Sequence, residues 1–130
     1  MNDEELVAAA REALEEAYVP YSEYPVGAAI ETVDGEVYTG CNLENANFSN
    51  SLHAEEVAIG SALRDGHRDF VKIAVTSERR DGVTPCGMCR QTLAEFCDDD
   101  FRVLCDEQEG LAEYRLGDLI PNTITPEMLE

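Results

Sequence analysis

Two short apolar runs, VKIAVTS at 71–77 and FRVLC at 101–105, stand on either side of GMCRQTLAEFC at 87–97. The outer runs read as buried strands, whereas the middle one puts Cys89, Leu93 and Phe96 on one face of a helix. Strand, helix, strand at this spacing predicts a parallel crossover, which requires helices on the faces of a sheet. Upstream, PVGAAIETVDGEVYTGCNL reads as strands at 26–32 and 37–42 joined through Asp34-Gly35, a strong hairpin signal. The expected sheet is therefore mixed, an antiparallel hairpin beside parallel strands.

Two further helices complete the pattern. Asn2 and Glu5 make a capping box, Leu6, Ala10, Ala13, Leu14 and Ala17 form an apolar stripe, and Pro20 ends the run. A second helix is expected over 52–64, burying Ala54, Ala58, Ile59 and Ala62, with Gly66 near its end and a loop at 43–51 before it. The chain shows no repeats, linkers or low-complexity segments. Its 130 residues, 44% of them apolar, fit one α/β domain spanning 1–130.

Charge excludes some partners. The chain carries 28 acidic and 9 basic residues, a formal charge of −19 spread along its length. Such a field repels polyanions, so no nucleic-acid partner is expected. Lys72 is the lone lysine, and acidic excess with lysine depletion resembles proteins of halophilic organisms, where salt screens self-repulsion. No stretch approaches the roughly 18 apolar residues of a membrane span. The start, MNDEELVAAAREALEEA, lacks the basic flank and apolar core of a signal peptide. The five cysteines, an odd number without even spacing, fit a reducing compartment, so a cytoplasmic protein with no membrane partner is expected.

The chemistry concentrates in SLHAEEVAIGSAL at 51–63 and in PCGMCRQ at 85–91. His53, Cys86 and Cys89 each stand where a helix begins after an irregular segment, and in an open α/β sheet such segments converge on one crevice. Three borderline-soft ligands with a fourth position open describe a catalytic zinc site, one Zn2+ per subunit. The helix dipole and Arg90, placed behind the ligands, would lower the cost of two thiolates. Other readings stay open: a structural histidine, a redox pair, or a closed zinc site completed by Cys41, Cys97, Cys105 or His67. Glu55, two residues after His53, favours catalysis, because a carboxylate beside zinc-activated water is what general acid/base work needs. His-x-Glu with Pro-Cys-x-x-Cys is a known zinc-deaminase signature.

YSEYPVGAAI, GCNLENANF, HAEEVAI and PCGMCRQTLAEF resemble, in order, segments of the cytidine deaminases, over roughly residues 18 to 105. The resemblance implies a three-layer α/β/α deaminase fold with a mixed five-stranded sheet. It further implies a homotetramer and hydrolysis of cytidine and deoxycytidine to the uracil nucleosides with release of ammonia, a pyrimidine-salvage reaction. By the same resemblance His53, Cys86 and Cys89 match the zinc ligands and Glu55 the proton shuttle. Asn42, Glu44 and Ala54 match substrate-binding positions, and Tyr24 an aromatic that packs on the base. Glu44, an anion, would accept from sugar hydroxyls and repel a phosphate, which favours nucleosides over nucleotides. A deaminase for another cytosine- or adenine-containing substrate, or a non-catalytic structural zinc module, is the alternative.

Three departures stand out. Many short members have cysteine where this chain has His53 and arginine where it has Glu56. Two thiolates and a neutral imidazole leave the zinc site uncharged, so Glu56 would mark a cation no longer needed, or only a solvated acid. The tail, LGDLIPNTITPEMLE, lacks the closing aromatic, and Ile124, Met128 or Leu129 would cover the base if any residue does.

Overall fold

The computed structural model describes residues 1–107 and 109–129. Its elements follow the order α1 (Asp3–Leu14), β1 (Val26–Thr32), β2 (Val37–Cys41), α2 (Ala54–Arg64), β3 (Phe70–Ser77), α3 (Gly87–Phe96), β4 (Arg102–Glu107), β5 (Gly110–Arg115) and a single helical turn, α4 (Leu116–Leu119). The five strands form one sheet in the order β2-β1-β3-β4-β5. Only β3 and β4 pair in parallel, across the α3 crossover, and the other neighbours are antiparallel. The mixed sheet expected from the sequence is therefore present.

Alternation along the strands builds two cores. Ala28, Ile30, Ile73, Val75, Val103 and Cys105 face α2 and α3, while Ala29, Ala74 and Leu104, the residues between them, face Leu6, Val7 and Ala10 of α1. One helix thus covers one face of the sheet and two cover the other, giving three layers. The layers approach closely because residues at the contacts are small. A Cβ on Gly40 would lie 2.5 Å from the Ala54 carbonyl oxygen and 2.6 Å from the Ala58 nitrogen, both backbone atoms of α2. The first turn of α2 therefore rests directly on β2.

The structure corrects two boundaries. α1 stops at Leu14, well short of Pro20, because backbone pairing captures the following chain: Tyr18 N–H donates to the Asn42 carbonyl at 3.0 Å and Glu44 N–H to the Tyr18 carbonyl at 2.8 Å. α2 starts at Ala54 and not at residue 52, since Leu52 pairs in both directions with Leu43 at 2.8 and 3.0 Å. The loop at 43–51 also holds a 3₁₀ turn, Phe48–Asn50. Strand β5 left no alternating pattern to read, because most of its side chains are exposed on a sheet edge.

The lone lysine is not a surface charge. Lys72 is buried, donating to Asp3 at 2.7 Å and to the Met1 carbonyl at 2.9 Å, while Arg102 bridges Asp3 and Glu113 at 2.7 Å each. Hydrogen bonds from Lys72 and Arg102 hold the Asp3 carboxyl below its ordinary value of 3.8. A depressed carboxylate stabilises the fold above its unfolded pKa and loses that contribution as pH falls through the folded one.

Two outcomes follow from this packing. Gly40→Ala should cost about 1–3 kcal/mol and weaken metal binding, because α2 must lift from β2; denaturant midpoints and metal content measure the two effects. Asp3→Asn should destabilise by about 1–3 kcal/mol at neutral pH, leaving the Lys72 ammonium short of an acceptor. The difference from the parent chain should shrink as the melts are taken below pH 3.8.

Candidate active site

One end of the sheet gathers the start of β1 and the ends of β2 and β3, since Val26 pairs with Ser77 and Gly27 with Cys41. The segments leaving β2 and β3 lead into α2 and α3 there. His53 is the N-cap of α2, with φ −88° and ψ 151°, and Cys86 the N-cap of α3, with φ −68° and ψ 169°. Extended backbone before each helix lets the capping residue leave the helical spiral. The donor atoms of His53, Cys86 and Cys89 all lie within 4.8 Å of one another. His53 Nδ1 stands 3.2 Å from each of the two sulfurs.

The donor set fits zinc. Burial, followed by the charges of Glu55 and Cys86, pushes the Cys89 thiol far above its ordinary value, so its sulfur keeps a proton unless a cation takes that place. One imidazole and two sulfurs are ligands that Zn2+ accepts, and three protein ligands leave a position for solvent or substrate. Among the described residues no fourth protein donor joins this cluster, and Cys41, Cys97, Cys105 and His67 lie outside it. All five cysteines are unpaired. A second group of donors, Glu36, Asp65 and His67, sits at the far end of α2, where the Tyr38 hydroxyl lies within hydrogen-bonding distance of both carboxylates.

A cavity of about 290 Å³ opens beside the cluster, with Asn42, Glu44, His53, Ala54, Glu55 and Cys86 in its wall. Glu55, in the first turn of α2, is only 5% exposed. Burial raises its carboxyl above the ordinary carboxylate value. A carboxyl that takes up a proton more readily than usual suits a group that must both accept and return one. Glu56 is not a free solvated acid: its Oε1 accepts from the His53 N–H at 3.0 Å, which fixes the backbone of a ligand residue.

The other residues singled out in the sequence are placed unequally. Asn42 accepts from the Val26 N–H and donates to the Tyr24 carbonyl, both at 2.9 Å. Glu44 accepts from the Tyr21 and Ser22 N–H groups at 3.0 Å and from the Ser22 hydroxyl, and these bonds lower its pKa. Both reach the cavity while bracing the segment 21–26. Tyr24 is not in the cavity wall, and the Arg79 guanidinium lies over its ring at 5.8 Å. Arg90 makes no hydrogen bond to a ligand sulfur among the described contacts. It donates instead to the Pro85 carbonyl at 2.7 Å, the Leu119 carbonyl at 2.8 Å and Thr84 Oγ1 at 3.0 Å. Its part is to brace the segment carrying Cys86. Among the described residues no tail residue lines the cavity of its own chain, and Ile124, Met128 and Leu129 are exposed. Sequence reasoning missed Val26, Ser51, Leu52, Val83 and Thr84 as wall residues, since only tertiary contact places them there.

Comparison with known proteins agrees with this geometry. Residues 1–105 match the model of the cytidine and deoxycytidylate deaminase zinc-binding region. A cytidine deaminase of Sporosarcina psychrophila is 42% identical over 130 residues, covering 99% of this chain and 96% of its own. One of Halalkalibacterium halodurans is 41% identical over 128 residues, covering 98% and 97%. Among solved structures, the cytidine deaminase of Burkholderia pseudomallei superposes with a TM-score of 0.91 at 40% identity, over 95% of this chain and all of that one. With its layered sheet, its three-donor cluster and the buried carboxyl beside it, the chain belongs to the zinc-dependent cytidine and deoxycytidylate deaminase family.

Proposed function

We propose that the chain removes the C4 amine of cytidine and deoxycytidine by hydrolysis, yielding the uracil nucleosides and ammonia, and that it does so as a single domain spanning 1–130. The observation that carries this reading is the position of Glu55, nearly buried in the wall of the cavity that His53 and Cys86 also line. A structural zinc site has no use for a carboxyl held there.

In this reading His53, Cys86 and Cys89 hold Zn2+, which when bound supplies an activated water and polarises it toward attack. Glu55 would take one proton from the attacking water and place it on N3 of the cytosine ring, then take the remaining proton from the new C4 hydroxyl and hand it to the amine, so that the C4–N bond breaks, ammonia leaves and the C4 carbonyl forms. Ala54 belongs to the first turn of α2, whose N–H groups have no helical acceptor, and it offers one to a carbonyl of the base. Asn42 and Glu44 hold the sugar hydroxyls with the hydrogen-bonding capacity they do not spend on the segment 21–26. Glu44 is the group that disfavours a 5′-phosphate, because its carboxylate, stabilised by Ser22 and Tyr21, stays ionised.

The quaternary reading is a homotetramer. Tyr18, Tyr21, Phe48 and Leu52 are half or more exposed, or nearly so, around the cavity's outer edge, and Tyr21 meets Phe48 edge-on at 5.7 Å between ring centres. Apolar residues grouped in this way fit a surface covered by a neighbouring subunit. That subunit is also the candidate cover for the base, since the chain's own tail lies elsewhere. Among the described residues no helix is long and apolar enough to cross a membrane. We place the enzyme in the cytoplasm, in a salt-rich setting that screens its −19 charge.

The deciding assay measures ammonia release in concentrated KCl from cytidine, deoxycytidine, CMP and adenosine, with and without a zinc chelator. Release from both cytosine nucleosides, abolished by the chelator, is expected; release from CMP or adenosine alone would overturn the substrate assignment. Glu55→Gln should lower kcat about 10²–10⁴-fold while zinc content stays at one per chain, and retention of full turnover would leave only the structural reading. Light scattering should give four chains per particle, and Phe48→Asp should shift that mass downward; a parent protein that is monomeric at micromolar concentration would remove the tetramer.

A further inference from the structure

Arg90 and Thr84 form a linkage that reaches from the segment before Cys86 into the cavity wall. The Arg90 guanidinium donates to three acceptors, and it does so with Nε, Nη1 and Nη2 separately. Two of the acceptors lie in the strand-to-helix segment just before Cys86, and the third, the Leu119 carbonyl, belongs to α4. The next residue, Gln91, continues the same seam: its Nε2 donates to the Ile124 carbonyl at 3.1 Å, and its Oε1 accepts from the Thr123 hydroxyl at 2.8 Å. The start of α3 is thus tied on one side to the cavity wall and on the other to the tail.

Thr84 is the one acceptor of Arg90 that also lines the cavity. An arginine N–H occupies one lone pair of its Oγ1, which fixes the direction of the hydroxyl. Three other threonine hydroxyls have acceptors, since Thr76 donates to Asp106, Thr92 to the Met88 carbonyl and Thr123 to Gln91, whereas Thr32, which accepts from the Glu36 N–H, lies away from the cavity. For Thr84 no acceptor is present among the described contacts. A half-buried hydroxyl with its oxygen held from behind and its proton uncommitted, in the wall of a polar cavity, is arranged to meet an acceptor that arrives with the ligand.

We propose that Thr84 donates a hydrogen bond to the carbonyl oxygen of the pyrimidine ring, and that Arg90 is the positioning residue that aims it. Through Leu119, the C-terminal segment shares in that aim. The inference rests on the deaminase reading of the cavity and adds a specificity group to the wall that Asn42 and Glu44 also line.

The test is a double-mutant cycle on the zinc-loaded enzyme, with cytidine as substrate. Thr84→Val keeps the shape and removes the hydroxyl, and it should lower kcat/KM about tenfold, the size of one hydrogen bond, with zinc content and melting temperature unchanged. Thr84→Ser should restore most of the rate, which a purely packing role would not predict. Arg90→Gln should lower kcat/KM by at least as much, and adding Thr84→Val to it should cost little more. Full activity in Thr84→Val, or strictly additive losses in the double variant, would overturn the proposal. A parent enzyme that binds zinc yet releases no ammonia from cytidine would instead overturn the deaminase reading on which it rests.

Discussion

The close contact between β2 and the first turn of α2 governs the rest of the site. Gly40 has no side chain, so the backbone of Ala54 and Ala58 rests against the strand. That contact fixes the height of α2 over the sheet and with it three neighbouring residues. His53 leaves the helix at its cap, Glu55 lies buried in its first turn, and Glu56 reaches back to hold the His53 N–H. A donor cluster whose atoms must fall within a few ångströms tolerates little drift in the helix carrying one of them. The crossover from β3 to β4 does the same for Cys86 and Cys89, because α3 can return to the sheet in only one hand.

Much of this was legible in the chain, and the reasons are local. The apolar runs at 71–77 and 101–105 are strands buried on both faces, and they read as such without knowledge of their neighbours. The Asp34-Gly35 hairpin declared itself because Gly35 takes φ 87°, which side chains disfavour. The ligands were legible for a different reason: soft donors at helix starts are rare enough to stand out. Illegible features depended on tertiary pairing. α1 gives up its last turns to the backbone of residues 42–44, and no propensity in EEAYVP announces that exchange. Strand β5 pairs on an edge with exposed side chains, so neither alternation nor an apolar run marked it.

Charge was legible in amount and not in use. Arg90 is next to a zinc ligand in sequence, which made it a natural counter-charge for thiolates. In the fold its three donors go to two carbonyls and a hydroxyl, so it acts as a brace of fixed shape. Lys72 is likewise used inside the fold: its ammonium is buried against Asp3 and the Met1 carbonyl, leaving arginine as the basic side chain of the surface. Burial first, and then the charges of Glu55 and Cys86, raise the thiol of Cys89, and a bound dication is what would make two sulfurs tolerable beside Glu55.

The same economy explains how Asn42 and Glu44 serve two ends. Glu44 accepts three hydrogen bonds from Tyr21 and Ser22, and a carboxylate has room for about four. Asn42 uses one donor and one acceptor site on the backbone of Tyr24 and Val26, and its amide retains one more of each. These residues therefore hold the wall at 21–26 in place before any ligand arrives and keep only a small, directed remainder for it. A remainder of that kind favours a neutral sugar with hydroxyls over a phosphate, which would confront an ionised carboxylate already fixed in position. Selectivity at this end of the cavity then comes from the bonds that make the wall rigid, because a rigid anion cannot swing away from a like charge.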